Sequence, residues 1–318
     1  MKTIYLCDEP KYVRDIYLTS DKIYSKADIL SNAEAFEDVE FVFSTWGMPQ
    51  FSEDEIKEYL PSLKAVFYAA GSVQYFARPF LSCGIKVFSA WAANAIPVAE
   101  YTVAQIVLAN KGFFKTMRFK NKDDARKIFE KHPGNFGVKI GIIGAGTIGK
   151  LVIKMLKNYN LDLLVFDPFL SEEQATNFGV KKTSLEEIFA QCQVVSNHLA
   201  DNEQTRGMLC KKHFEAMRPY STFLNTGRGA QVVESDLISV LKARDDITAI
   251  LDVTHPEPPE QGSELYTLQN CILTPHIAGS WGNEVRRMGE FMKAQYENLI
   301  NNRPCEYEVT LKMLETMA

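Results

Sequence analysis

The segment Lys139-Ile-Gly-Ile-Ile-Gly-Ala-Gly-Thr-Ile-Gly149 constrains the fold of this 318-residue chain more than any other. An apolar run of strand character meets Gly144, Gly146 and Gly149, spaced G-x-G-x-x-G, and a helical pattern opens at Thr147 and Ile148. In a strand–turn–helix that holds a dinucleotide, each glycine has its own duty. The first permits a tight turn, the second lets backbone approach a pyrophosphate, and the third lets helix pack closely on strand. The phosphates then lie over the helix N-terminus, where unpaired N–H groups favour anions. The next apolar run, Leu163–Phe166, ends at Asp167, 18 residues beyond Gly149, about where the fingerprint places an acid on the ribose hydroxyls. A carboxylate there favours NAD, because it repels a 2′-phosphate.

The rest of the chain alternates in the same way. Thr3–Cys7, Glu40–Ser44, Lys64–Tyr68 and Lys86–Ser89 read as strands in the first hundred residues, with short helices at Glu53–Leu60 and Val73–Leu81. Lys139–Ile143, Leu163–Phe166, Val194–His198, Thr222–Asn225, Ala249–Val253 and Cys271–Thr274 follow, separated by helical patterns such as Thr147–Asn158, Leu185–Gln191 and Glu234–Ala243. Several runs carry little polar alternation, as parallel strands covered on both faces do. The alternation implies βαβ units and a mostly parallel sheet, and it occurs twice. Two α/β domains are expected, which suits the length. Pro97–Phe119 reads as a long helix with Pro97 in its first turn, followed by a solvated crossing segment over Lys120–Gly137. A last amphipathic helix is expected near Asn283–Asn301.

Composition excludes several classes. With 24% charged and 46% apolar residues the chain is neither disordered nor a coiled coil. A net charge of −5 offers no broad basic surface to nucleic acid. Six scattered cysteines, with no C-x-x-C pair, fit reduced thiols better than a zinc cluster or a disulfide scaffold. His132, His198, His213 and His255 lack partners at metal spacing, so no metal is expected. The opening MKTIYLCDEP has an apolar run too short for a signal sequence, and no stretch approaches the roughly 20 apolar residues of a membrane span. A soluble, cytoplasmic protein is the expectation.

Three charged groups stand where expected strands end. Arg228 lies in the turn NTGRG, Glu257 between prolines in LDVTHPEPP, and His276 in LTPHIAGS. Taken singly, each is commonly a surface turn, a solvated loop or a structural histidine. In an open α/β sheet, however, all three face the crevice beyond the carboxyl ends of the strands. Together they suit reduction of a 2-oxo acid. The Arg fork binds a carboxylate bidentately and polarises the carbonyl, and the His gives or takes the proton. A carboxylate beside an imidazole favours its charged form.

At these residues the chain resembles the D-isomer-specific 2-hydroxyacid dehydrogenases, which include phosphoglycerate dehydrogenase, glyoxylate reductase and formate dehydrogenase. The resemblance runs from about Leu63 to Pro304, on GAGTIG with Asp167, NTGRG, LDVTHPEP, TPHIAGS and the upstream NAIPVAEYT. It implies a Rossmann-type NAD-binding domain over 99–285 and a flavodoxin-like substrate domain built from 1–98 and 286–318. It makes Arg228 the substrate-binding arginine, His276 the acid/base and Glu257 its orienting partner. Asp252 becomes the contact to the nicotinamide carboxamide, with Thr102 beside the ring and Thr226 and His198 on the cofactor side. Gly71, Ser72 and Val73 match the loop whose backbone N–H groups hold the substrate carboxylate. The chain departs from the family after that loop, at Gln74, and over His198–Thr205. Formate dehydrogenases are expected to carry Gln where Glu257 stands, which argues against formate.

The expected activity is NAD-dependent interconversion of a D-2-hydroxy acid and its 2-oxo acid, in a homodimer joined through the nucleotide domain. Trp46, Tyr68, Tyr101 and Trp281 suggest a fairly apolar pocket for the side chain of the acid. The alternatives are a non-catalytic NAD-binding sensor or corepressor on the same fold, and a short phosphoglycerate-type dehydrogenase.

Overall fold

The computed structural model describes residues 1–117 and 119–315. Its strands are β1 (Lys2–Leu6), β2 (Ile23–Tyr24), β3 (Val39–Ser44), β4 (Ala65–Tyr68), β5 (Lys86–Ser89), β6 (Phe136–Ile143), β7 (Asn160–Phe166), β8 (Lys181–Lys182), β9 (Val194–Asn197), β10 (Thr222–Asn225), β11 (Thr248–Leu251), β12 (Cys271–Leu273) and β13 (Glu308–Val309). The chain divides into two compact units. One combines Met1–Ala95 with Ser280–Ala318, and the other is the continuous piece Ile96–Gly279. These joints lie a few residues before the positions expected from sequence, 98/99 and 285/286.

In the first unit six strands run in the order β13-β5-β4-β3-β1-β2, parallel except for β13 against β5. Setting that edge strand aside, the order 2-1-3-4-5 is the flavodoxin-like one. Successive residues of β4 serve opposite faces. Val66 and Tyr68 join Leu6, Ile56 and Phe80, while Ala65 and Phe67 join Phe41, Val13 and Met288. Both faces being apolar, the strand has no polar alternation. The helix Val285–Ile300 lies on the second face, where Tyr296 meets the rings of Phe41, Phe43 and Phe67 edge-on.

The second unit has seven parallel strands in the order β12-β11-β10-β9-β6-β7-β8. Numbered within the unit, this is the dinucleotide-binding order 3-2-1-4-5-6 with one strand added, and it reverses between β6 and β9. Val194 and Leu224 face one core, Val195 and Phe223 the other.

Several sequence expectations are corrected. The long helix is Trp91–Asn110, so Pro97 sits in its interior rather than in its first turn. The alanine-rich start WAANA extends the helix backwards, and Gly112, at φ +68°, breaks it before the short Phe113–Thr116 helix. That 20-residue helix is also apolar enough to span a bilayer by length and composition, contrary to the expectation that no stretch was. Half of its most apolar window is buried within the protein. Lys120–Gly137 is not simply a crossing segment. Lys122–Phe129 is helical, capped by the Asn121 side chain, which accepts from the Asp124 N–H, and it buries none of its residues. The helix expected from Val73 begins at Ala77, leaving Gly71–Val73 in a loop.

Candidate active site

The glycine turn follows β6. Gly144 adopts φ +91°, and a Cβ there would lie 2.9 Å from the His198 carbonyl, so no other residue fits without shifting β9's end. A Cβ on Gly149 would lie 2.0 Å from the Gly144 oxygen, which fixes how closely the Thr147–Leu156 helix meets the strand. Gly146 differs: a Cβ would meet nothing within 4 Å. Open space over a helix N-terminus, with bare backbone facing it, fits a pyrophosphate. Thr147 and Ile148 begin that helix as expected. Asp167, just beyond β7, accepts from the Ala145 N–H at 2.6 Å and from the Phe169 and Leu170 N–H groups at 2.7 and 3.1 Å. It therefore braces the glycine turn as well as standing where a ribose is expected.

At the switch point four side chains form a buried chain. His198 Nε2 lies 2.8 Å from Ser196 Oγ, its Nδ1 lies 3.3 Å from Thr226 Oγ1, and Thr226 Oγ1 lies 3.3 Å from Thr102 Oγ1. Burial pushes the His198 imidazole down to about 3, so the ring is neutral across the physiological range.

The loops after β10, β11 and β12 carry the charged groups. His276 Nδ1 lies 2.6 Å from Glu257 Oε1, with both side chains half-exposed. Nδ1 being engaged, Nε2 is the atom free to exchange a proton with a ligand. His276 sits at φ +54°, an uncommon conformation for a histidine, and its N–H donates to the carbonyls of Asp252 and Thr274. The buried Asp252 carboxylate holds this loop. It accepts from Thr274 Oγ1 at 2.5 Å and from the Ile277 and Ala278 N–H groups at 2.9 Å each. Tyr101 Oη lies 3.1 Å from Thr274 Oγ1, on the same cluster. Asp252 thus anchors the acid/base loop, a role that sequence did not suggest. Thr274 and Tyr101 were not read as part of the loop's support, since nothing in TPH or AEYT marks their hydroxyls as buried partners.

Arg228 is half-buried, and its Nη1 donates to the Gly227 carbonyl at 2.8 Å. Its turn lies against the Glu257 loop, for a Cβ on Gly229 would fall 2.0 Å from the Thr254 carbonyl carbon. Within this unit the sheet edge therefore brings Glu257 and His276 into contact and sets the Arg228 turn against the loop that carries Glu257.

A family model for the NAD-binding domain of the D-isomer-specific 2-hydroxyacid dehydrogenases matches residues 104–278. The chain belongs to this family. NAD is the cofactor of that domain. The chain is 31% identical over 238 residues to the D-3-phosphoglycerate dehydrogenase of Archaeoglobus fulgidus, covering 73% of this chain and 44% of the relative. It is 29% identical over 221 residues to the human D-3-phosphoglycerate dehydrogenase, covering 69% of this chain and 41% of the relative. The chain thus spans less than half the length of these curated relatives. The NAD-complexed D-isomer-specific 2-hydroxyacid dehydrogenase of Lactobacillus delbrueckii ssp. bulgaricus shares the fold, with a TM-score of 0.78 at 18% identity, over 98% of this chain and 100% of that one.

In the first unit, considered by itself, Gly71–Val73 form the loop after β4. Buried Ser89 Oγ donates to the carbonyls of Ala70 and Gly71, at 2.9 and 2.6 Å, which fixes the start of the loop. Of the aromatics expected to line a pocket, Tyr68 is buried, with its hydroxyl 3.4 Å from that of half-exposed Tyr75. Trp46 packs partly buried against the core and Trp281 is exposed.

Proposed function

We propose that this protein interconverts a D-2-hydroxy acid and its 2-oxo acid with NAD. The contact between His276 and Glu257, at the strand ends of an NAD-binding unit, carries this reading. Reduced NAD, held over the Gly144–Gly149 turn, would supply the hydride that the carbonyl carbon takes. As the carbonyl is reduced to the alcohol, its oxygen takes a proton from His276 Nε2. Oxidation of the hydroxy acid returns that proton to the same atom. Glu257 holds the ring through Nδ1, which leaves Nε2 to meet the substrate. The Arg228 fork binds the carboxylate and polarises the carbonyl.

The partners of this reading are small molecules, in a cytoplasmic homodimer that binds neither nucleic acid nor membrane. Exposed Leu108, Phe113, Phe119, Phe129 and Phe136 support a second copy docking on the Ile96–Gly279 unit, since large apolar side chains clustered along one stretch mark interaction surfaces. The deciding experiment follows NADH absorbance with pyruvate, hydroxypyruvate and phenylpyruvate, and determines the configuration of the product. Turnover to the D-hydroxy acid is expected. NADH binding with no turnover on any 2-oxo acid would leave the sensor.

A further inference from the structure

A polar device under the Arg228 turn has no counterpart in the roles so far assigned. Asn197, Asn225 and Gln231 are completely buried at the carboxyl ends of β9 and β10. Asn197 Nδ2 donates to Asn225 Oδ1 at 3.0 Å and to Gln231 Oε1 at 2.5 Å. The two acceptors then grip the turn from both sides. Gln231 Oε1 accepts from the Arg228 N–H at 3.3 Å, Asn225 Oδ1 accepts from the Gly227 N–H at 3.1 Å, and Asn225 Nδ2 donates to the Arg228 carbonyl at 3.2 Å. The remaining Gln231 hydrogens go to the carbonyls of Leu199 and Ala200, at 2.7 and 2.9 Å. The loop after β9 is thereby tied to the same group. Gly227 leaves no slack, for a Cβ there would lie 3.0 Å from both Asn197 Nδ2 and Gln231 Oε1.

Three buried amides are an expensive way to fill a core, because each must be fully paired to avoid a desolvation penalty. Apolar residues would fill the same volume at less cost. What apolar residues cannot do is hold the N–H and C=O of one particular residue at fixed positions. We propose that Gln231 and Asn197 are positioning residues for Arg228: through Asn225 they fix the backbone on either side of it, and so the direction in which its guanidinium fork leaves the turn. This rests on the dehydrogenase reading for its kinetic consequences, but not for its structural ones.

The test compares Gln231→Leu, Asn197→Leu and the double variant. Each single change orphans buried partners and is destabilising. The double variant removes the Asn197–Gln231 bond from both ends, while the Arg228 N–H and the carbonyls of Leu199 and Ala200 still lose Gln231, so it should melt no lower than Gln231→Leu. A mere packing role would leave KM native wherever the variant is folded. A positioning role would not. The expected result is a double variant, assayed well below its Tm, whose KM for the fastest of pyruvate, hydroxypyruvate and phenylpyruvate is raised about 10–100-fold, as small misplacements of a binding group produce. A double variant with native KM overturns the proposal. Hydrogen exchange of the peptide covering 226–231 supplies a second readout that needs no turnover. Exchange at least about tenfold faster than wild type is expected in the double variant, and unchanged exchange overturns the proposal. If wild type reduces none of the acids, the dehydrogenase reading fails while the exchange result still decides whether the amides hold the turn.

Discussion

His198 sets a pH limit on the NAD-binding unit that can be worked out in advance. Its folded value is about 3, because burial excludes water from the ring. In the unfolded chain the imidazole returns to about 6.5. As pH falls, the unfolded chain therefore takes up a proton that the folded one refuses, and folding loses stability. The sign is fixed by this order: the contribution is intact above about pH 6.5 and is lost progressively toward pH 3. Between pH 7.5 and pH 5 the loss is about 2 kcal/mol, and by pH 3 it approaches about 5 kcal/mol. Against a typical total of roughly 5–15 kcal/mol, that is a large share. His198→Asn keeps a polar side chain between Ser196 and Thr226 but cannot titrate. The variant should be less stable than wild type at pH 7.5 and lose about 2 kcal/mol less on going to pH 5. All three tryptophans, Trp46, Trp91 and Trp281, lie in the other unit, so fluorescence reads the wrong sheet. Urea unfolding followed by pulsed hydrogen exchange of β9 and β10 peptides reads the right one. Equal losses in wild type and variant would refute a neutral, desolvated His198.

Four further outcomes follow from the site. His276→Gln should lower kcat for 2-oxo acid reduction about 10²–10⁴-fold with NADH binding intact, and a fall below tenfold would remove His276 from proton transfer. Glu257→Gln should lower kcat for reduction at least about tenfold, because the ring loses the carboxylate that orients it through Nδ1; an unchanged kcat would make Glu257 a loop residue. Asp167→Ala should narrow the preference for NADH over NADPH, and it should also lower Tm, because three backbone N–H groups lose their acceptor. Equal kcat/KM for the two cofactors in wild type would count against the ribose assignment. Gly146→Ala should leave Tm unchanged, since nothing lies within 4 Å of the added methyl, yet weaken NADH at least about tenfold. Native NADH affinity in that variant would show that the pyrophosphate lies elsewhere.

What sequence could and could not reveal divides along physical lines. The strands were legible because their apolar residues serve two cores at once, leaving continuous runs such as Ala65–Tyr68 and Thr222–Asn225. The glycine turn was legible because each glycine answers a different steric demand. Short edge strands, β2, β8 and β13, were not, since two residues carry no period. Pro97 misled because proline is a strong starting signal, while here the helix accepts it in its interior. At the site, the charged groups announced themselves by residue type. Their supports did not. The resemblance makes Asp252 a cofactor contact, and nothing local shows that its oxygens also accept from Thr274, Ile277 and Ala278. Gln231 looked like one polar residue among Ala230, Val232 and Val233, and only the meeting of β9 and β10 shows what it holds.

The first unit is assembled from two stretches separated by the whole of the second unit, and this imposes a timetable on the protein's birth. β1 to β5 are translated before that unit, whereas β13, which pairs with β5, and the Val285–Ile300 helix are translated after it. Between them the whole Ile96–Gly279 unit must be translated, which takes roughly ten to forty seconds at usual rates. That unit is continuous and can complete its sheet meanwhile. For the same interval the rings of Phe41, Phe43 and Phe67 wait for Met288, Met292 and Tyr296, which will cover them. The half-made first sheet is therefore the nascent protein's sticky stage, and the surface a chaperone would meet there is an aromatic one that the finished molecule never shows.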